Sequence, residues 1–87
     1  GAPLAAGQTV SVNYVGVYYA TGEEFDSSWK RGEPFEFTLG VGGVIQGWDQ
    51  GLAGVPIGSR VQLDVPSHLG YNDGQDRRFV VDILSAS

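Results

Sequence analysis

The stretch Val44 to Gly58, VIQGWDQGLAGVPIG, decides the fold predicted for this chain. Read as a helix, it places Ile45, Trp48 and Leu52 on one face, because these residues follow one another at spacings of three and four. A glycine and a proline come shortly after Leu52, so the helix has room for roughly two turns. We therefore expect a short helix that presents one large aromatic side chain, Trp48, to the rest of the domain.

Two glycines inside this helix indicate that another element packs closely against it. Gly47 and Gly51 each cost about 1 kcal/mol of helix stability relative to alanine. A helix of this length is marginal by itself, so packing rather than propensity must hold it. The glycines predict close approach of a neighbouring backbone, and Trp48 predicts a floor on which other side chains rest.

Four strand-like segments surround the helix in the sequence. In each one apolar and polar residues alternate, as in half-buried strands; the segments are Gln8 to Tyr18, Phe35 to Leu39, Arg60 to Val65 and Arg78 to Leu84. Polar residues 26–28 predict an irregular sheet edge. The economical arrangement is an antiparallel sheet curled over the helix, an α+β fold. Residues 1–7, GAPLAAG, show no periodicity and are predicted to be a flexible lead-in to a single domain over residues 8–87.

The composition limits the classes of partner and chemistry. Ten acidic and five basic residues give a net charge of -5, which argues against a nucleic acid or an anionic membrane as partner. The chain has no cysteine, so disulfides, thiolate metal sites and thiol nucleophiles are excluded. No apolar run reaches the roughly 20 residues that span a bilayer. None of these features identifies a compartment, and the cytoplasm remains only a default.

Other chemistries have little support in the sequence. The single histidine, His68, has no G-x-S-x-G nucleophile elbow to serve. Pairs of carboxylates such as Glu23 with Asp26 suit a glycosidase, but they are commonplace in an acidic domain. The segment Asn72 to Asp76 lacks the spacing of a calcium loop, and the glycines at 40, 42 and 43 lack the lysine of a phosphate loop. We therefore expect no metal and no cofactor.

Aromatic residues remain as the candidate site. For any single Phe, Tyr or Trp the simplest interpretation is a core residue. Together, and beside Asp26, they indicate an apolar concavity that binds a ligand.

Five motifs in order along the chain resemble FKBP-type peptidyl-prolyl cis-trans isomerases. They are YVG at 14–16, GEEFDSS at 22–28, PFEFTLG at 34–40, VIQGWDQGLAGVPIG at 44–58 and VPSHLGY at 65–71. The resemblance extends from Gln8 to Leu84. It implies a curled antiparallel sheet around one short helix and an isomerase that acts on Xaa-Pro bonds of peptides or unfolded proteins. It also implies inhibition by macrolides of the FKBP class. We expect a monomer.

The resemblance implies a role for each matching residue. Predicted catalytic residues are Tyr14, Asp26, Ile45, Trp48, Tyr71 and Phe79, and predicted substrate-binding residues are Phe25, Phe35 and Val44. Trp48 would be the floor of the prolyl pocket and Asp26 its polar wall group. The Tyr71 hydroxyl and the Ile45 backbone N–H would each donate a hydrogen bond to a substrate carbonyl.

The chain departs from the family pattern in two places. The family usually has a further strand before the segment that begins here at Gln8. The loop after Tyr71 usually carries an apolar tip over the pocket, whereas only Asn72 to Asp76 separate Tyr71 from Arg77 here. Three hypotheses follow: an isomerase, a module of the same fold that binds peptide or macrolide with weak or no catalysis, and a scaffold without a pocket.

Overall fold

The computed structural model describes all 87 residues and contains one antiparallel sheet of five strands wrapped around a short helix. The strands are β1 (Thr9–Tyr18), β2 (Glu24–Ser27), β3 (Phe35–Thr38), β4 (Arg60–Val65) and β5 (Arg77–Ala86). The helices are α1 (Ser28–Arg31) and α2 (Gln46–Gly51), and a 3-10 turn covers Ser67–Leu69. The predicted α+β class is confirmed. Neither helix has the length that crossing a membrane requires.

The long strands β1 and β5 form the middle of the sheet. The strand order is β2-β1-β5-β4, and β3 pairs with the other end of β1. The register of β1 with β5 runs from Val10 opposite Ala86 to Tyr18 opposite Arg77. The predicted alternation is observed in β1, where Val10, Val12 and Tyr14 are buried. Strand β4 forms one edge of the sheet.

Helix α2 packs its predicted apolar face against the sheet, with Trp48 and Leu52 buried. The close approach predicted from its glycines is present, although side chains of β4 rather than backbone make it. A Cβ atom on Gly47 would lie 2.6 Å from Cγ1 of Val65, and one on Gly51 would lie 2.9 Å from Cδ2 of Leu63. Glycine at both positions therefore lets β4 lie against the helix.

The irregular sheet edge predicted over residues 26–28 is observed, because β2 is an edge strand whose register with β1 shifts between Gly16 and Val17. The strand ends at Ser27, and helix α1, which the sequence did not predict, begins at Ser28. The reason lies in Ser28, whose side chain is fully buried. Its hydroxyl accepts a hydrogen bond from the Tyr14 backbone N–H at 2.8 Å and donates one to Asn13 Oδ1 at 3.0 Å. These bonds draw the chain towards β1 and replace ladder bonds that a continued strand would make.

The structure differs from the flexible lead-in expected over residues 1–7. Leu4 is buried in the core at 3% exposure. Its N–H donates to the Val55 carbonyl at 2.9 Å, and its carbonyl accepts from the Gly54 N–H at 2.8 Å. Pro3 also forms an isolated bridge with Pro56. The segment is thus packed on the loop after α2. The sequence did not predict this packing because one buried leucine gives no periodic signal.

Candidate functional site

An apolar cavity of about 350 Å³ opens between the sheet and α2. Its lining residues are Tyr14, Phe35, Gly43, Val44, Ile45, Trp48, Tyr71 and Phe79. Seven of these were predicted as site residues from the sequence; Gly43 was not, because a residue without a side chain gives no chemical signal. Asp26 and Phe25, the other two predicted residues, lie just behind the wall.

Trp48 lies at the base of the cavity and is 3% exposed. Its ring meets Tyr14 at 5.1 Å and Phe79 at 5.4 Å between centroids, with interplanar angles of 87° and 90°. Phe37 of β3 packs on it at 5.6 Å. Edge-to-face contacts of this kind fix ring orientation as well as burying area. The indole Nε1 is buried without a hydrogen-bond partner in the protein.

Phe25 supports the wall from outside the cavity. Its ring lies 5.6 Å from that of Phe79 and 6.4 Å from that of Tyr71, both edge-on. Gly16 of β1 makes this possible, because a Cβ there would lie 2.8 Å from Phe25 and 2.9 Å from Phe79. Phe25 therefore packs against two lining rings and does not bound the cavity itself.

Asp26 joins a closed set of hydrogen bonds at the rim. Its Oδ2 accepts from the Tyr14 hydroxyl at 2.5 Å, and its Oδ1 accepts from Arg31 Nη1 at 2.7 Å and from the Ser27 N–H at 2.9 Å. Arg31 Nη2 also donates to the Tyr14 hydroxyl oxygen at 2.9 Å. Arg31 was not predicted as a site residue, because in the sequence it resembles an ordinary cation of a surface loop.

This network sets the protonation of both partners. Burial raises the pKa of the Tyr14 hydroxyl, and its hydrogen bond to Asp26 raises it further. Burial opposes the charge of Asp26, but hydrogen bonds from Tyr14 and Arg31 outweigh it and hold the pKa of that carboxyl below its ordinary value. At neutral pH, Tyr14 is a neutral phenol that donates to a carboxylate. Asp26 is thus placed to fix Tyr14 and to contribute a local negative charge.

The loop before α2 delivers Val44 and Ile45 to the cavity. Asp49 holds this loop in place, because its two carboxylate oxygens accept from the N–H groups of Gly40 and Gly42 at 2.8 and 3.0 Å. The Ile45 N–H makes no hydrogen bond within the protein, although its carbonyl accepts the first bonds of α2. A lining residue with a free backbone donor suits a ligand carbonyl.

Tyr71 forms the outer lip of the cavity and is 52% exposed. Burial raises the pKa of its hydroxyl, so the group is a protonated donor at neutral pH. The shortened loop after it is held down by Ser67, whose carbonyl accepts from the Asn72 N–H at 2.9 Å and whose Oγ accepts from the Gly74 N–H at 2.8 Å. All of residues 71–76 are exposed, so the mouth of the cavity is open on this side.

No group of three His, Cys, Asp or Glu side chains lies close enough together to hold a metal ion. His68, in the 3-10 turn, is exposed and outside the cavity. The arrangement therefore offers an apolar surface with a few hydrogen-bond donors.

Comparisons with known proteins agree on one family. A family model described as FKBP-type peptidyl-prolyl cis-trans isomerase matches residues 2–82. A protein of Streptomyces anulatus named FK506-binding protein is 59% identical over 94 positions, covering 95% of this chain and 76% of that protein. The Saccharomyces cerevisiae protein named peptidyl-prolyl cis-trans isomerase FPR2 is 49% identical over 67 residues, covering 77% of this chain and 50% of that protein.

A solved structure agrees with these relatives. The crystal structure of AtFKBP13 superposes with a TM-score of 0.90 at 32% identity, covering all of this chain and 85% of that one. The alignment with the Streptomyces protein has 94 positions whereas this chain has 87 residues, so that protein contains residues without a counterpart here.

Proposed function

This chain belongs to the FKBP-type peptidyl-prolyl cis-trans isomerase family, and we propose that its aromatic cavity catalyses the cis-trans isomerisation of Xaa-Pro bonds in peptides or unfolded proteins. The observation that carries the proposal is the cavity itself: about 350 Å³, floored by the buried Trp48, with Tyr71 and Ile45 at its rim. Such a site holds one proline ring and leaves the flanking chain outside.

The reaction needs no nucleophile, acid or base. An Xaa-Pro bond exchanges in about 10–100 s at 25 °C because rotation breaks amide conjugation, with an activation energy of about 20 kcal/mol. Conjugation separates charge, so transfer into an apolar cavity weakens the planar form relative to the twisted one. Every ~1.4 kcal/mol of that difference accelerates exchange tenfold.

The cavity residues divide this work. Trp48, Phe79 and Phe35 surround the proline ring with apolar surface. The Tyr71 hydroxyl and the Ile45 N–H each donate to a substrate carbonyl, which fixes the chain on both sides of the rotating bond. Tyr14 and Asp26 present a fixed dipole at the wall, and its interaction with the twisted imide contributes differential stabilisation of the transition state.

A second candidate is supported by the open mouth beside Tyr71. Residues 71–76 are exposed and supply no apolar cover, so the residue before proline has little surface to contact. On this hypothesis the domain binds proline peptides or macrolides of the FKBP class through the same cavity but turns over weakly. Macrolide binding is part of both hypotheses, because it requires the floor of the cavity at Trp48 rather than an apolar cover from residues 71–76.

A protease-coupled assay with a peptide carrying an apolar residue before proline tests the proposal. We expect the protein to accelerate isomerisation and Asp26→Ala to lower kcat/KM about tenfold, since a hydrogen bond to a charged group contributes about 1.5–3 kcal/mol. Trp29→Leu, an exposed aromatic outside the cavity, is the control. Peptide binding without acceleration favours the binding module. Full activity in Asp26→Ala contradicts the assigned site, and absence of both binding and acceleration contradicts both functions.

A further inference from the structure

The guanidinium of Arg77 lies buried directly beneath Tyr71. Arg77 begins β5 and is 6% exposed. Its Cζ lies 4.4 Å from the ring centroid of Tyr71, 4.9 Å from that of Phe25 and 5.2 Å from that of Tyr18. All three distances are within the range of cation-π contacts. The ring of Tyr71 therefore rests on a charged group that does not line the cavity.

The same guanidinium forms hydrogen bonds with the shortened loop, residues 72–76. Its Nη2 and Nη1 donate to the two carboxylate oxygens of Asp73 at 2.6 and 3.1 Å. Nη1 also lies 3.3 Å from the carbonyl oxygen of Gln75, to which it donates. Bidentate pairing fixes orientation as well as distance. Asp73 is two residues from Tyr71, so the pair restrains the backbone next to the lip.

Little else holds the Tyr71 side chain. It is half exposed and its hydroxyl makes no hydrogen bond within the protein. Its one aromatic neighbour is Phe25, edge-on at 6.4 Å. The support from Arg77 is thus the main restraint on the direction in which the hydroxyl points.

Stability alone does not explain this arrangement. Nε of Arg77 is buried without an acceptor, and a buried donor left unsatisfied costs free energy. Its partner Asp73 is 40% exposed, and an ion pair that solvent reaches is screened and adds little stability. A charged residue at this position therefore calls for a role other than core packing.

We propose that Arg77 is a positioning residue, which together with Asp73 holds the Tyr71 ring where its hydroxyl meets the bound proline peptide. The inference rests on the proposed function of the cavity. Arg77 acts only through Tyr71, and its pairing with the short loop supplies a restraint on the lip of the pocket.

The test compares Arg77→Met with a matched control, Arg78→Met. Arg78 is the next residue and also forms a bidentate pair, with Asp64 at 2.7 and 3.2 Å, and lies 4.9 Å from the ring centroid of Tyr19. It contributes nothing to the cavity lining. We expect Arg77→Met to raise KM at least fivefold with kcat within twofold, because a contact shared by substrate and transition state appears in KM. Arg78→Met is expected to leave both constants unchanged.

Two further variants separate positioning from folding. Asp73→Asn breaks the same pair from the exposed side of the loop and is expected to raise KM in the same direction. In a Tyr71→Ala background, Arg77→Met is expected to cause no additional change, since the residue it positions is gone. The inference would be overturned if Arg77→Met and Arg78→Met changed KM equally. It would also be overturned if the KM change of the Tyr71→Ala, Arg77→Met double variant were the product of the two single changes.

Dissociation constants for the peptide, measured by calorimetry on the same proteins, keep this inference distinct from the proposed function. If the wild type binds peptide but does not accelerate isomerisation, catalysis is contradicted. The dissociation constants of the two variants then still test the role of Arg77. A ratio near one between Arg77→Met and Arg78→Met would overturn the inference. A wild type that neither binds nor accelerates overturns both.

Discussion

Among single residues, Trp48 connects the candidate site to the core. Its ring contacts those of Tyr14 and Phe79 on the cavity side and packs against Phe37 of β3. Like Tyr14 and Phe79, Trp48 is both buried and part of the cavity lining, and as the floor it also sets the depth of the cavity. A change at this position is therefore expected to alter both the stability of the fold and the shape of the cavity.

Trp48→Ala is expected to lower the free energy of unfolding by about 3–5 kcal/mol, because truncation of a buried aromatic leaves a cavity. Trp29→Ala is the matched control, since Trp29 is 58% exposed, and surface substitutions usually stay within about 0.5 kcal/mol. Urea unfolding measures both. An unchanged midpoint for Trp48→Ala would show that the residue is not the floor.

Asp73 gives a prediction about the stability of the protein at acid pH. Hydrogen bonds from Arg77 lower the pKa of its carboxyl from 3.8 to about 2. A carboxyl with a depressed pKa in the folded state stabilises it above the ordinary value, and this contribution is lost as the pH falls from about 4 through about 2. We expect a carboxyl titration midpoint near 2 by NMR, shifted upward in Arg77→Met. As the pH falls through that window, the urea midpoint of Asp73→Asn should decrease less than that of the wild type, because the variant has no carboxylate to lose. Equal decreases in the two proteins would contradict a stabilising role of the Asp73 carboxylate.

The sequence predicted the aromatic residues of the site better than its charged ones. Large rings at alternating positions have few alternatives to burial, so the pattern predicted burial of Tyr14 and Phe79, whereas their roles in the site, and that of Phe35 rather than Phe37, came from the family resemblance. Arg77 was missed because it precedes a second arginine and resembles a surface pair. The alternation of β5 does place Arg77 on the same side as Phe79, and that signal could have revealed it. No pattern of spacing could have predicted the pairing of Arg77 with Asp73, which depends on the path of the loop.

At the scale of elements, α2 depends on its fit to β4. The two glycines of the helix face different neighbours. Gly47 faces the buried, β-branched Val65, whereas Gly51 faces the end of the partly buried Leu63 side chain. The same substitution is therefore expected to have opposite effects at the two positions.

Gly47→Ala is expected to destabilise the protein by up to about 2 kcal/mol. The overpacking against Val65 costs about 1–3 kcal/mol, which exceeds the gain in helix propensity of about 1 kcal/mol. Gly51→Ala is the internal comparison: Leu63 can rotate away, so the propensity gain prevails and stability rises by up to about 1 kcal/mol. Thermal and urea unfolding of both variants check the sign, and destabilisation of similar size at both positions would contradict the difference between the neighbours.

The elements themselves were predicted unevenly, for a physical reason. Periodicity identified β1, β3, β4, β5 and α2 because each buries one face. Helix α1 spans only Ser28–Arg31 and owes its form to the buried hydroxyl of Ser28, a tertiary interaction that local patterns do not encode.

At the scale of the whole molecule, the N-terminal segment completes the core. Leu4 packs with the residues that also hold α2 and the sheet together, and its backbone is bonded to the loop at Gly54 and Val55. This packing was not predicted, because a short apolar segment without a repeat has the same sequence pattern whether it is packed or free.

Leu4→Ala is expected to cost about 2–4 kcal/mol of stability, as for other buried leucines. Leu84→Ala provides a control of identical chemistry, because Leu84 is 46% exposed on β5. We expect the control to stay within about 0.5 kcal/mol of the wild type. Similar unfolding free energies for the two variants would indicate that the segment does not pack in solution.

The pairing of β1 with β5 has a consequence for how the chain acquires this structure. Thr9 and Ser87 exchange two backbone hydrogen bonds at 3.0 Å, so the middle of the sheet joins residues almost the full length of the chain apart. Closing so large a loop costs entropy before any contact compensates, which places folding in the slow range of milliseconds to seconds. During synthesis, β1 emerges with its short partners β2 and β3 long before β5, so the edge of β1 that pairs with β5 stays without hydrogen-bond partners until the end of the domain follows. We propose that this domain acts on unfolded chains. For most of its own synthesis the domain is itself incompletely folded, because its sheet lacks β5.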